Sequence, residues 1–240
     1  MLFLHGLGSS ADDWTYQRAA FAAEHRVLVV DLPGHGRSAR PRGPLTVERM
    51  AADIEALLMA LDEPSVHVVG LSLGGCVGLA LALRAPARVR SLTLVNTFAR
   101  LEPASKGAGL RMAWRAVLLA TAPMAAVAAL VARTVFPRAE QADLRRQAMA
   151  SLARTSRRSY VSAMTALARF DARTSLATVR CPTMVVAGAD DTTIGFEPKD
   201  ALARAILGAR WVVVPESGHA TNADQPAAFN HVLMEFIAAR

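Results

Sequence analysis

Cysteine and lysine are scarce in this 240-residue chain, with two of each: Cys76 and Cys181, Lys106 and Lys199. Two cysteines make no disulfide framework, so reduced, buried thiols and a cytoplasmic location are expected. No Cys-x-x-Cys or His-x-x-x-His pair occurs, so the usual metal-binding spacings are missing and no metal or organic cofactor is implied. The formal net charge of +7 comes almost wholly from arginines scattered along the chain. There is no block of consecutive basic residues, and aromatics, at 5%, are not interleaved with basic ones. Nucleic acid is therefore not an expected partner. Met1 to Leu4 runs directly into His5-Gly6, without the basic start and cleavage site of a signal peptide. Ala116 to Ala132 is uncharged, but it is rich in alanine and holds Pro123. A lid helix over an apolar pocket explains it better than stable membrane insertion. Repeats and low-complexity tracts are also missing.

Hydrophobic residues are plentiful at 52%, ample for a large core. Strand patterns at Met1–Leu4, Arg26–Asp31, Ser65–Leu71, Val89–Val95, Thr183–Ala187 and Trp211–Val214 alternate with helical ones. Helices are expected over Ala11–Glu24, Leu45–Leu61, Cys76–Ala85, Lys199–Leu207 and Gln225–Ala239. Such alternation predicts an α/β fold with a mostly parallel central sheet flanked by helices. Between Leu101 and Ser175 the alternation stops and only helical patterns remain. An all-helical cap over residues 101–175 is therefore expected, inserted between core parts 1–100 and 176–240. The arginines of this segment (Arg145, Arg146, Arg154, Arg157, Arg158) read as its solvated face.

The chemistry centres on Gly70-Leu71-Ser72-Leu73-Gly74, between a predicted strand and a predicted helix. In that context Gly-x-Ser-x-Gly makes a sharp turn that lifts the serine hydroxyl above the sheet, with small residues clearing the space. A glycine-rich turn with an incidental serine would look the same, so the later loops decide. Gly188-Ala189-Asp190-Asp191 and Ser217-Gly218-His219 follow two further strands, beyond the carboxyl ends where parallel sheets build their sites. A serine hydroxyl needs a base near neutrality, and imidazole needs a carboxylate to fix its tautomer. Here either Asp190 or Asp191 could serve. His5-Gly6-Leu7-Gly8 follows the first strand, and the N–H groups of Leu7 and Leu73 can form an oxyanion hole. Gly6 is placed at the substrate, as is His5, which holds this loop by hydrogen bonding rather than acting as a second base. Gly6-x-Gly8-x-x-Ala11, with Asp31 about 20 residues on, imitates a dinucleotide fingerprint. That reading leaves the serine turn and both later loops unexplained.

Together, His5-Gly6-Leu7-Gly8, the Asp31–Ser38 loop, Gly70–Gly75, Gly188–Asp191, Gly218-His219 and Asp224-Gln225-Pro226 resemble the α/β-hydrolase superfamily. Within it the likeness is to small serine hydrolases with a helical cap, of the carboxylesterase and 3-oxoadipate enol-lactonase type. The resemblance implies Ser72 as nucleophile, His219 as base and Asp191, three residues after the strand-end glycine, as acid. A serine at position 72 sets the chain apart from the dehalogenases and epoxide hydrolases of this fold, which carry aspartate there. The expected reaction is cleavage of a small, largely apolar ester or lactone through an acyl-enzyme. Trp114, Leu118, Leu119, Val127 and Leu130 of the cap are expected to line its site, with Trp114 and Leu118 touching substrate. The alternatives are a C–C bond hydrolase acting on a diketone and a non-catalytic binding protein of the same fold. Relative to the superfamily, Met1 falls in the third strand, so the usual N-terminal hairpin is expected to be missing and a sheet edge exposed.

Overall fold

A computed structural model describes residues 1–102 and 106–239. Six strands, β1 (Leu2–Leu4), β2 (Leu28–Val30), β3 (Val66–Leu71), β4 (Val89–Val95), β5 (Thr183–Gly188) and β6 (Arg210–Val214), form one sheet. Every pairing is parallel, in the order β2-β1-β3-β4-β5-β6. The connections run outward from β1 to β2, then return to β3 and continue the other way. The order thus reverses between β1 and β3, where loops leaving the carboxyl ends of adjacent strands part and open a crevice.

Alternation along the strands feeds two cores. Leu2, Leu4 and Val68 pack on one face with α2 (Val47–Ala60), α3 (Leu73–Arg84) and α8 (Phe196–Ala205). Phe3, Val69 and Leu71 pack on the other with α1 (Thr15–Phe21) and α10 (Pro226–Ala238). Each fully buried aliphatic side chain stabilises this arrangement by about 1.5–3 kcal/mol relative to exposure. In α2 the Thr46 hydroxyl accepts the Arg49 N–H at 3.1 Å, and Met50, Ile54 and Leu58 form its buried stripe. The edge strand β2 is only half-buried.

Among the described residues, four α-helices lie between β4 and β5: α4 (Lys106–Thr121), α5 (Met124–Val135), α6 (Ala142–Arg154) and α7 (Arg157–Arg169). Residues 103–105, which the sequence reading includes in the helical cap, lie outside the described residues. The uncharged stretch at Ala116–Ala132 is broken between α4 and α5, with Pro123 preceding the first residue of α5. Among the described residues, no helix is long and apolar enough to cross a membrane. Two of the arginines expected on a solvated face also tie helix ends together. Arg157 donates to the carbonyls of Leu119, Ala120 and Ala122 at the end of α4, and Arg145 donates to those of Phe136 and Arg138 beyond α5. Carbonyls at a helix C-terminus lack intrahelical partners, so a guanidinium satisfies several at once.

Candidate active site

Ser72 stands alone between β3 and α3, with φ 51° and ψ −111°. That left-handed backbone strains a residue with a side chain by about 1–3 kcal/mol and persists only where its surroundings enforce it. The enforcement is steric. A Cβ on Gly70 would collide with the Gly74 carbonyl, and one on Gly74 with the Leu4 carbonyl of β1. A Cβ on Gly75 would lie 2.6 Å from the Thr97 side chain. Hydrogen bonds fix the turn further: the Ser72 N–H donates to the Val95 carbonyl at 2.9 Å, and the Thr97 hydroxyl to the Ser72 carbonyl at 2.7 Å. Helix α3 begins at Leu73, three residues earlier than its composition suggested, because both glycines are needed for close approach inside the helix. Nearby Cys76 is no rival nucleophile, since burial pushes its thiol up to about 12.

Asp191 and His219 occupy the turns after β5 and β6. Asp191 Oδ1 accepts the N–H groups of Thr193 (2.8 Å) and Ile194 (3.2 Å). Its Oδ2 lies 3.0 Å from His219 Nδ1 and 3.0 Å from Lys199 Nζ. The carboxylate assigns the proton to Nδ1, leaving Nε2 as the ring's acceptor. Burial opposes ionisation of Asp191, but His219 and Lys199 outweigh it and hold the carboxyl at about 2. Asp190, by contrast, is exposed and lies 3.8 Å from Arg138. Of the two adjacent aspartates, Asp191 is the one that meets His219.

Sequence reasoning passed over Asn96, which joins these turns. Sitting after β4 with φ 44°, it accepts the Gly188 N–H at 2.8 Å and donates to the His219 carbonyl at 2.7 Å. Its amide also reaches the Thr221 hydroxyl at 2.8 Å. A polar residue directly after an apolar strand was the available signal. Lys199 was missed because a lysine in an amphipathic helix normally faces water, whereas this one is only 1% exposed. Its signal was rarity in a chain that otherwise uses arginine.

Ser72 and His219 line one pocket of about 560 Å³ together with Gly6 and Leu7. Its outer wall comes from the helical segment, including Val131, Val135 and Phe136 near the end of α5 and Leu152 of α6. The N–H of Leu73, first residue of α3, has no intrahelical acceptor. Several residues expected at the pocket need correction, Leu119 and Val127 among them. His5 is fully buried and does not line the pocket; its Nε2 accepts the Leu32 N–H at 3.0 Å, and Nδ1 lies 2.7 Å from the Gly6 carbonyl. It shapes the loop instead of touching a ligand. Trp114 lies outside the pocket lining and is 55% exposed. Leu118 also lies outside the lining, packed with Leu119 and Val127 in a cluster behind it. Leu130 is likewise outside, and α5 presents its next turn to the pocket.

Two acidic residues of the pocket were not anticipated, Asp12 and Asp13, in a 3-10 turn over Ala11–Trp14. Burial raises the Asp13 carboxyl to about 6. The acid of the apparent dinucleotide fingerprint has other work: Asp31 accepts the Ala11 N–H at 2.7 Å with one oxygen and the Arg37 N–H at 3.0 Å with the other. Both carboxylate oxygens are thus spent on loop structure, and no ribose reading is needed.

The class this architecture defines agrees with the comparisons. The profile of the alpha/beta hydrolase fold family matches residues 1–226, and the chain belongs to that family. It is 35% identical to the protein named "Putative carbamate hydrolase RutD" of Azorhizobium caulinodans, over 98% of this chain and 90% of that protein. With 3-oxoadipate enol-lactonase 2 of Acinetobacter baylyi it shares 30% identity over 97% and 86% of the two chains. The crystal structure of the enol-lactonase from Burkholderia xenovorans superposes with a TM-score of 0.90 at 29% identity, covering 99% of this chain and 90% of that one.

Proposed function

We propose that the protein is a serine hydrolase that cleaves carboxylic ester or lactone bonds of small, largely apolar substrates through an acyl-enzyme. The observation that carries this reading is the strained Ser72 on the same pocket as His219, whose Nδ1 is held by Asp191. Ser72 Oγ attacks the carbonyl carbon while His219 Nε2 takes its proton. The N–H groups of Leu7 and Leu73 receive the oxyanion, a contribution of about 3–4 kcal/mol per donor in favourable cases. His219 then protonates the leaving oxygen, and water drawn through the same ring hydrolyses the acyl-enzyme. Asp191 stays ionised throughout and stabilises the imidazolium. Helices α4–α7 serve as the cap, and the apolar end of α5 with Leu152 of α6 selects the acyl or alcohol group. The named relatives, an enol-lactonase and a carbamate hydrolase, support hydrolysis at a carbonyl carbon.

Intact-mass measurement after exposure to a fluorophosphonate tests the reading. One covalent adduct is expected on the native protein and none on Ser72→Ala, and that variant should lose at least about a thousandfold in turnover of a p-nitrophenyl ester. An adduct or turnover that survives in folded Ser72→Ala would sink the assignment. A panel of esters, lactones, carbamates and a vinylogous diketone then ranks the bond types.

A further inference from the structure

We propose that Lys199 is a positioning residue of this site: its ammonium shares Asp191 Oδ2 with His219 and keeps the imidazole from retaining a second positive charge. The proposal rests on the hydrolase reading above for its purpose, but not for its test. The geometry is closed. Asp191 Oδ1 is already filled by the Thr193 and Ile194 N–H groups, so both remaining partners meet at Oδ2. Lys199 Nζ and His219 Nδ1 each lie 3.0 Å from that atom, hence no more than about 6 Å apart. Nζ also lies 3.3 Å from Asn96 Oδ1, and Asn96 holds the His219 carbonyl. One side chain of α8 thus touches the acid and the residue that anchors the histidine turn.

A buried ion pair is costly and needs a reason beyond stability, because apolar side chains of similar volume in place of both partners often serve as well or better. Here the charge acts twice. It keeps Asp191 ionised, and it repels a proton that lingers on the ring across low-dielectric protein. The imidazolium formed when Ser72 is deprotonated is therefore readied to hand its proton to the leaving group. Other charges near the ring are accounted for. Asp190 faces Arg138, and Asp224 accepts from both Arg138 (2.7 Å) and the Gly218 N–H (2.6 Å). Asp12, Asp13 and Arg154 line the same pocket as His219, and all three remain in every variant below. Glu197 and Asp200, on α8 itself, flank Lys199 in the chain and are equally unaltered.

The test is a nuclear magnetic resonance titration of imidazole-labelled histidines, with the His219 signal assigned through His219→Asn. Lys199→Met removes charge and hydrogen bond together; Lys199→Gln removes the charge but can still donate to Asp191. In both, the His219 midpoint should rise by about one pH unit. The acid limb of kcat/KM for an ester should rise with it, while kcat on the plateau falls less than about tenfold. An unmoved midpoint in either folded variant overturns the proposal. Failure of both variants to fold, judged by circular dichroism, also overturns it and leaves Lys199 a structural role. The midpoint needs no turnover, so loss of the Ser72-dependent adduct in the native protein would refute the hydrolase reading without touching this one.

Discussion

The serine turn and the helical segment over it are both helix-bearing and largely apolar, yet they are built on opposite terms. At the turn, each residue is fixed by what it would strike: glycines at 70, 74 and 75 face backbone or a side chain at distances no Cβ tolerates. In α4–α7 nothing so rigid applies. Alanine-rich helices pack through Leu119, Val127, Leu152 and Tyr160, and guanidinium groups hold their ends. Backbone collisions leave no substitute residue, whereas side-chain packing accepts many. The proposed chemistry therefore sits where substitution is forbidden, and pocket shape sits where it is tolerated.

The sharpest way to break this contrast is Gly74→Ala. Its methyl group would meet the Leu4 carbonyl of β1, so loss of soluble folded protein, or destabilisation above about 4 kcal/mol, is expected in urea unfolding. Comparable stability to the native protein would show that the turn can yield. Leu152→Ala probes the other side. This residue is 5% exposed and lines the pocket. A cost of about 2–3 kcal/mol is expected, with KM rising for longer acyl chains while the rate of fluorophosphonate labelling at saturation holds. A collapse of labelling would mean that the two regions are not separable. The smallest effect concerns Asp13. Its folded value of about 6 lies above the ordinary carboxylate value, so burial of its charge removes stability as pH rises from about 4 to about 6. Asp13→Asn should therefore raise the melting temperature by a few degrees at pH 8 and leave it unchanged at pH 3.5. An equal gain at both would assign the change to packing.

The same contrast explains what could be read in advance. All six strands were legible as short runs rich in β-branched residues and leucine. They are buried on both faces in β1, β3 and β5 but only partly in the edge strands β2 and β6, and β2 is shorter than Arg26–Asp31 suggested. Ser72 and His219 were legible because each follows a strand end in a turn of distinctive composition, whereas the turn after β5 offered both Asp190 and Asp191 and only the family resemblance pointed to Asp191. Boundaries were less clear: the run ahead of Pro226 is a separate short helix, α9 (Thr221–Asp224), and Ala11–Glu24 divides into a 3-10 turn and a shorter α1. The faces of α4 and α5 were misjudged because alanine contributes to every face of a helix, so periodicity points weakly. Asp13 and Lys199 escaped notice for another reason. Charged residues in helices are normally solvated, and only contacts remote in sequence bury these two.

Asn96 carries a consequence for how such a molecule can change over generations. Because one amide clamps the turns after β5 and β6 to the end of β4, the aspartate and the histidine belong mechanically to the sheet. The four helices between β4 and β5 can then drift in sequence or length without retuning the charge-bearing turns. New ligands can be explored through the variable wall while the inherited reaction stays intact.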